Sequence, residues 1–346
     1  MGFTYSNTTD DLYLPQFYDG ALALADATPI ILDSTRPSVS GVDGTVALID
    51  VWSDPAAHDD GSWLTAQTLG CRTSPRAVAV SGDTMVVGLP WEDRLPAPMS
   101  GAAHVYVRDK TGWRLADFID PPDQTQYGRF GHAVAIDGDT ILVSQCDPYP
   151  RIAEPGIVYV YVRKGSTWRL QTRLTGDGST DTRRAFGVSV TISGDTAVVG
   201  APRARIGVKT EAGAVFIFKR SGDSWSQVQR LTAPTVRDDA LFGEDTALDH
   251  GTLVVGAPMY DTGGDVNAGA AWVYGRSGGV WKIGARLSPG DPHVDDQFGS
   301  PLALSGDTVA VSAPKKDDKG AVIVFVRRAG TWRQQAELTT NDRLGD

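Results

Sequence analysis

Cysteine is nearly absent: Cys71 and Cys146 are the only two in 346 residues. Two are too few to staple a chain of this size, so they read as unpaired small apolar residues rather than a disulfide framework. No run of about 18 apolar residues occurs, which excludes a membrane-spanning helix. Positive charge is in deficit, with 32 basic against 42 acidic residues and a net charge of -10. That balance argues against a surface that tracks phosphates, and nucleic acid is not an expected partner. The opening Met1-Gly2-Phe3-Thr4-Tyr5-Ser6 lacks a basic segment followed by an apolar one. The chain as it stands therefore reads as cytoplasmic, or as exported if a signal has been removed.

Catalytic signatures are missing as well. There is no Gly-x-Ser-x-Gly, no phosphate loop and no dinucleotide fingerprint, so no cofactor is expected. His58, His104, His132, His250 and His293 have no two members at ligand spacing, so no metal site is expected either.

What the chain has is a repeat. Phe186-Gly187-Val188-Ser189-Val190-Thr191-Ile192 alternates as a strand does, Ser193-Gly194-Asp195-Thr196 is a turn, and Ala197-Val198-Val199-Gly200-Ala201-Pro202 is a second strand stopped by proline. The pattern returns every 56 residues, starting near 18, 74, 130, 186, 242 and 298. A fixed period of this length signals a propeller or solenoid and overrides the two or three domains that length alone suggests. Four short strands per unit are legible, most clearly Ala133 to Ile136, Ile141 to Ser144, Ile157 to Val162 and Trp168 to Leu174. Blade one reads the same way through Ala21 to Leu24, Pro29 to Leu32, Thr45 to Val51 and Trp63 to Leu69. The fold expected is all-β, a six-bladed β-propeller with four antiparallel strands per blade and almost no helix. Residues 1–17 show no period and are expected to form an N-terminal arm, with residues 18–346 as one domain.

Each unit carries one tryptophan at a fixed place: Trp63, Trp113, Trp168, Trp225, Trp281 and Trp332. Recurrence in every unit favours packing of one blade on the next over six ligand platforms.

Phe-Gly at 130–131, 186–187, 242–243 and 298–299, with Gly-Ala-Pro at 200–202 and 256–258, resembles the FG-GAP repeats that build integrin α-subunit propellers and many bacterial and fungal ones. The near variants Gly88-Leu89-Pro90 and Ser312-Ala313-Pro314 extend the resemblance over residues 18–346. It implies a fold and leaves function open. The calcium-binding branch of that family carries a turn resembling Asp-x-Asp-x-x-x-Asp. Here the turn is only Ser-Gly-Asp-Thr, and one carboxylate cannot supply the six to eight oxygens calcium takes, so Asp83, Asp139, Asp195 and Asp307 read as turn residues.

In the family's strand order the first strand of each blade lines the channel and the Trp strand is outermost. One face is then tight turns, and the other carries long, variable loops where function is expected. Those loops include Trp91, Tyr149 and Arg205 as candidate ligand contacts. The position after Phe-Gly, at the channel mouth, is held by Gly20, Arg76, His132, Val188, Glu244 and Ser300 in turn. Equivalent positions form a ring, so Arg76, His132 and Glu244 are expected to converge, with Asp245 adding a second carboxylate. The expectation is that the carboxylates keep His132 protonated to higher pH than a free imidazole. An ion-paired mouth that binds nothing is the structural alternative. Cys146 beside Asp147 replaces the Gly-Ala-Pro pattern in blade three and is a test case for reactivity, with no histidine placed next to it from sequence.

Two functions remain in play. One is a binding module whose loop face or mouth holds a glycan, a small polar molecule or a protein. The other is a lyase, isomerase or cyclase with His132 and Glu244 as acid and base and Arg76 beside them.

Overall fold

The computed structural model describes the backbone of the strands Ile30–Leu32, Gly44–Ile49 and Thr65–Cys71, and residues 73–94, 97–123, 125–147, 156–177 and 185–339 in full. The expected arm 1–17, the strand Ala21 to Leu24, Gly20, Trp63, His58 and Tyr149 lie outside the described residues.

Among the described residues the architecture is all-β and propeller-like, with five four-stranded antiparallel sheets and one three-stranded sheet. The first sheet is the three strands just named. The second runs Ala77–Ser81, Thr84–Leu89, Ala102–Asp109 and Gly112–Ile119. The third is Phe130–Asp137, Thr140–Gln145, Ile157–Lys164 and Thr167–Leu174. The fourth is Val190–Ser193, Thr196–Ala201, Ala214–Ser221 and Ser224–Leu231. The fifth is Thr246–Asp249, Thr252–Ala257, Ala270–Ser277 and Val280–Leu287. The sixth is Leu302–Ser305, Thr308–Ala313, Ala321–Arg328 and Thr331–Thr339. One 3-10 turn, Lys316–Asp318, is the helical structure among these residues.

Each sheet is a meander in sequence order, so strands one and two, and three and four, are joined on one side of the molecule and the remaining connections lie on the other. The first strands of the second to sixth sheets neighbour one another in succession. They form the inner edge. Second strands such as Thr196–Ala201 are buried at every residue because a sheet packs on both faces, whereas the fourth strand Ser224–Leu231 is largely exposed.

The core lies between sheets. Val105 and Ile119 of the second pack with Phe130, Ile141 and Val143 of the third. Val215, Ile217 and Leu231 of the fourth pack with Phe242, Val255 and Trp272 of the fifth. Burying large aliphatic and aromatic side chains in this way is the main favourable term, on the order of 1.5–3 kcal/mol for each.

The repeat motif has a steric reason. Gly131 and Gly243, after the buried Phe130 and Phe242, have φ of 91° in both cases. A Cβ on Gly200 or Gly256 would overlap the carbonyl oxygen of Gly243 or Gly299 in the next sheet. Phe-Gly of one unit and Gly-Ala-Pro of the preceding unit thus meet backbone to backbone, and only glycine admits that approach. The third sheet departs from this: Ser144 stands where the second, fourth and fifth sheets have glycine, and its Oγ accepts from Ala133 N at 2.9 Å.

The Ser-Gly-Asp-Thr turn is tied down by charge. Arg220 Nε lies 2.8 Å from Asp195 Oδ1, Nη1 donates to Thr140 Oγ1 of the preceding sheet at 2.7 Å, and the guanidinium sits 5.3 Å from the Trp225 ring centre. Arg163 repeats this with Asp139, Thr84 and Trp168, and Arg327 with Asp307, Thr252 and Trp332. Arg108 pairs with Asp83 and stacks on Trp113. These aspartates act as turn residues that hold an arginine. Trp281 is the most buried of the described repeat tryptophans, at 4% exposure, while Trp113, Trp168, Trp225 and Trp332 are half-buried.

Candidate functional site

The residue before each Phe-Gly adopts the left-handed backbone: φ is 54° at Arg129, 56° at Ala185 and 54° at Leu241. A short turn follows, closed by His132 N to Arg129 O at 3.2 Å, Val188 N to Ala185 O at 3.2 Å and Glu244 N to Leu241 O at 3.0 Å. Identical turns set His132, Val188 and Glu244 at equivalent places in three sheets. Arg76 precedes the inner strand of the second sheet, and its N–H donates to Gly88 O at 2.9 Å.

These residues act on one another. His132 is 3% exposed, and Nε2 has no hydrogen-bond partner among the described residues. Burial, then the positive charges of Arg76 and Arg129, hold the imidazole well below its usual range. This corrects the expectation of a His132 kept protonated by carboxylates: the charges that weigh on it are guanidiniums, and it is neutral at pH 7. Glu244 is pushed up by burial, with Arg203 and Arg76 pulling the other way and Glu211 adding to the rise. Asp245 is pushed up to about 7 by burial and by Glu244, although Leu302 N and Thr246 N donate to its carboxylate at 2.7 and 2.8 Å.

Cys146 is buried, and burial followed by Asp147 raises its thiol, with Arg76, Glu244 and Arg129 also in reach. Such a thiol is protonated and unreactive, which answers the question its position raised. It nevertheless belongs to the cluster. Arg76 influences His132, Cys146 and Glu244, which belong to the third and fifth sheets.

Sequence reasoning missed Arg129 and Glu211, and with them two ion pairs. Arg129 Nη1 lies 3.1 Å from Asp147 Oδ1, and Arg203 Nη1 lies 2.6 Å from Glu211 Oε2. The available signal was position: Arg129 precedes Phe-Gly and Arg203 follows Gly-Ala-Pro, both in strand-end turns on the same face.

The other candidates stand apart. Arg205 is exposed and donates to Gly207 O of its own loop at 3.2 Å. Trp91 is half-buried beside Glu92, whose carboxylate lies 3.0 Å from both His104 Nε2 and Arg94 Nη2. That network fastens its loop to the second sheet. On the tight-turn side, an open concavity of about 460 Å³ between the third and fourth sheets is lined by Asp137, Asp139, Arg163, Lys164, Arg220 and Asp223. Its two arginines are committed to the turn aspartates described above. No group of three or more metal-ligating side chains occurs among the described residues, and no helix there is long and apolar enough to cross a membrane.

Among solved structures, a candidate 6-phosphogluconolactonase of Bacteroides uniformis ATCC 8492 is similar at TM-score 0.54 and 13% identity, over 90% of this chain and 81% of that one. A candidate 6-phosphogluconolactonase of Bacteroides fragilis NCTC 9343 is similar at TM-score 0.53 and 12% identity, over 97% of both chains. At such identities the likeness concerns the fold alone. No curated protein matches the sequence. The FG-GAP repeat profile matches residues 75–106, 168–218, 225–274 and 281–325. These segments make up more than half of the chain and carry the Phe-Gly and Gly-Ala-Pro contacts that join one sheet to the next, so the protein belongs to the FG-GAP repeat family.

Proposed function

We propose that residues 18–346 close as a six-bladed, single-domain propeller of 56-residue repeats, preceded by an arm at 1–17, and that its axial mouth binds a small polar ligand. The observation that carries the binding reading is the reach of Arg76 to His132, Cys146 and Glu244 at once. Ionisable groups from three sheets are gathered where burial shifts their titration, a setting that favours a ligand site. Arg76, His132, Glu244 and Asp245 are the contacts proposed, with Trp91, Tyr149 and Arg205 on the surrounding loops as outer contacts.

The test is a binding screen of sugars, sugar acids and small oxyanions against the wild type, His132→Ala and Glu244→Gln. The binding reading expects both variants to keep their melting temperature and lose the ligand. If neither changes binding, the mouth is structural.

A second reading has its own support. His132 is held neutral and Glu244 is pushed toward its protonated form, which supplies one group of each kind for acid-base chemistry. Loss of turnover with binding intact in Glu244→Gln would favour that enzyme.

A further inference from the structure

Resting on the mouth reading, we propose that the ligand presents a small oxyanion, a carboxylate or phosphate group, to His132 Nε2 and Arg76, and that its binding is coupled to uptake of one proton by His132.

The imidazole is buried with one ring nitrogen unpartnered. A buried polar atom without a partner is costly, and in native proteins such atoms are few and point to function or to a missing ligand. Arg129, on the turn that closes onto His132, is balanced by Asp147 at 3.1 Å. Arg76, from the second sheet, acts on His132 directly. The remaining charged groups around the mouth are Glu244 with Asp245 on the fifth sheet, and Arg203 paired with Glu211 on the fourth. Cys146 is a protonated thiol and contributes no charge. The charges that bear on the imidazole are those of Arg76 and Arg129.

An anion placed there reverses the electrostatics. It gives Nε2 a partner, opposes the positive charges that lower the imidazole and forms a charge-assisted hydrogen bond with an imidazolium. The proton comes from solvent and adds to the free ring nitrogen; no other bond is made or broken. By linkage, an anion that favours the imidazolium binds more tightly as pH falls. A neutral hydroxyl in the same place would accept or donate one bond and leave the imidazole uncharged.

Isothermal titration of the full chain with D-glucuronate, inorganic phosphate and D-glucose, in two buffers of different ionisation enthalpy, separates these cases. Near pH 7 at least one of the two anions should bind with uptake of close to one proton, and its Kd should weaken by up to roughly tenfold per pH unit as pH rises. His132→Gln should bind that anion more weakly, with no proton exchange. Anion binding without proton exchange overturns the proposal. So does D-glucose binding as tightly as the anions, or no binding of either anion up to about 20 mM. If D-glucose alone binds and Glu244→Gln abolishes it, this inference fails and the mouth reading stands; if neither variant affects any binding, both fail. Should His132→Gln not fold, the ring-nitrogen shifts of wild-type His132, followed against pH with and without whichever of D-glucuronate or phosphate binds, give the same answer: the anion raises the titration midpoint, and an unchanged midpoint refutes the coupling.

Discussion

Arg76 and Glu244 stand on the second and fifth sheets, yet the guanidinium lies close enough to Glu244 to oppose the effect of burial on its carboxyl. The second and fifth sheets are not neighbours, so this influence runs across the inner edge that the first strands form.

The inner-edge glycines should be intolerant. A Cβ at Gly256 would overlap Gly299 O and approach Leu302. Gly256→Ala is expected to destabilise by about 3 kcal/mol or more, since the obstacle is backbone and cannot rotate away. Chemical denaturation measures this, with Gly278→Ala as the control: Gly278 has open space but a positive φ of 59°, so it should cost only about 1 kcal/mol.

Trp281 is 4% exposed and exchanges two hydrogen bonds with Gln229 through its backbone, at 2.8 and 2.9 Å. Trp281→Ala is expected to cost about 3–5 kcal/mol. Trp225, half-buried under Arg220, should cost less. Equal losses at the two sites would show that burial does not set the role of the repeat tryptophans.

The turn aspartates should respond to loss of arginine and not to loss of calcium. Removing the side chain in Arg220→Ala breaks the contacts with Asp195, Thr140 and Trp225, at an expected cost of about 1–2 kcal/mol. Arg220→Lys keeps the charge without the fork and should recover only part of it. Melting in the presence of a chelator should be unchanged; a large fall would mean that the aspartates serve a metal after all.

How far the sequence carried this account depended on what repeats. Phe-Gly, Gly-Ala-Pro and Ser-Gly-Asp-Thr recur because each solves the same backbone or turn problem wherever it stands, so the all-β class and the order of strands within a sheet could be read directly. The protonation of His132 could not. It depends on Arg129, which looks like an ordinary loop residue until the left-handed turn brings it beside the imidazole, and on burial, which belongs to the whole assembly. Likewise nothing in Cys146-Asp147 announces that Asp147 is the partner of Arg129.

Asp245 makes stability depend on pH. Its folded value, about 7, lies above the ordinary aspartate value of 3.8, so the folded protein holds a proton that the unfolded chain has released. Between about pH 4 and pH 7 stability should fall as pH rises, because the unfolded state binds fewer protons there. His132, pushed down, works in the opposite sense and loses stability as pH falls below its unfolded value of 6.5. Denaturation of Asp245→Asn across this range should show the falling limb flattened; an unchanged profile would mean that Asp245 titrates normally.

The mouth proposed at Arg76, His132 and Glu244 is expected to hold the ligand. Diffraction from crystals of the full chain soaked with whichever of D-glucuronate or phosphate binds in solution tests it most directly. Density bounded by Arg76, His132 Nε2 and Glu244 is the predicted result. Ligand density confined to the outer loops or to the concavity beside Arg163 and Arg220, with the mouth empty, would contradict it.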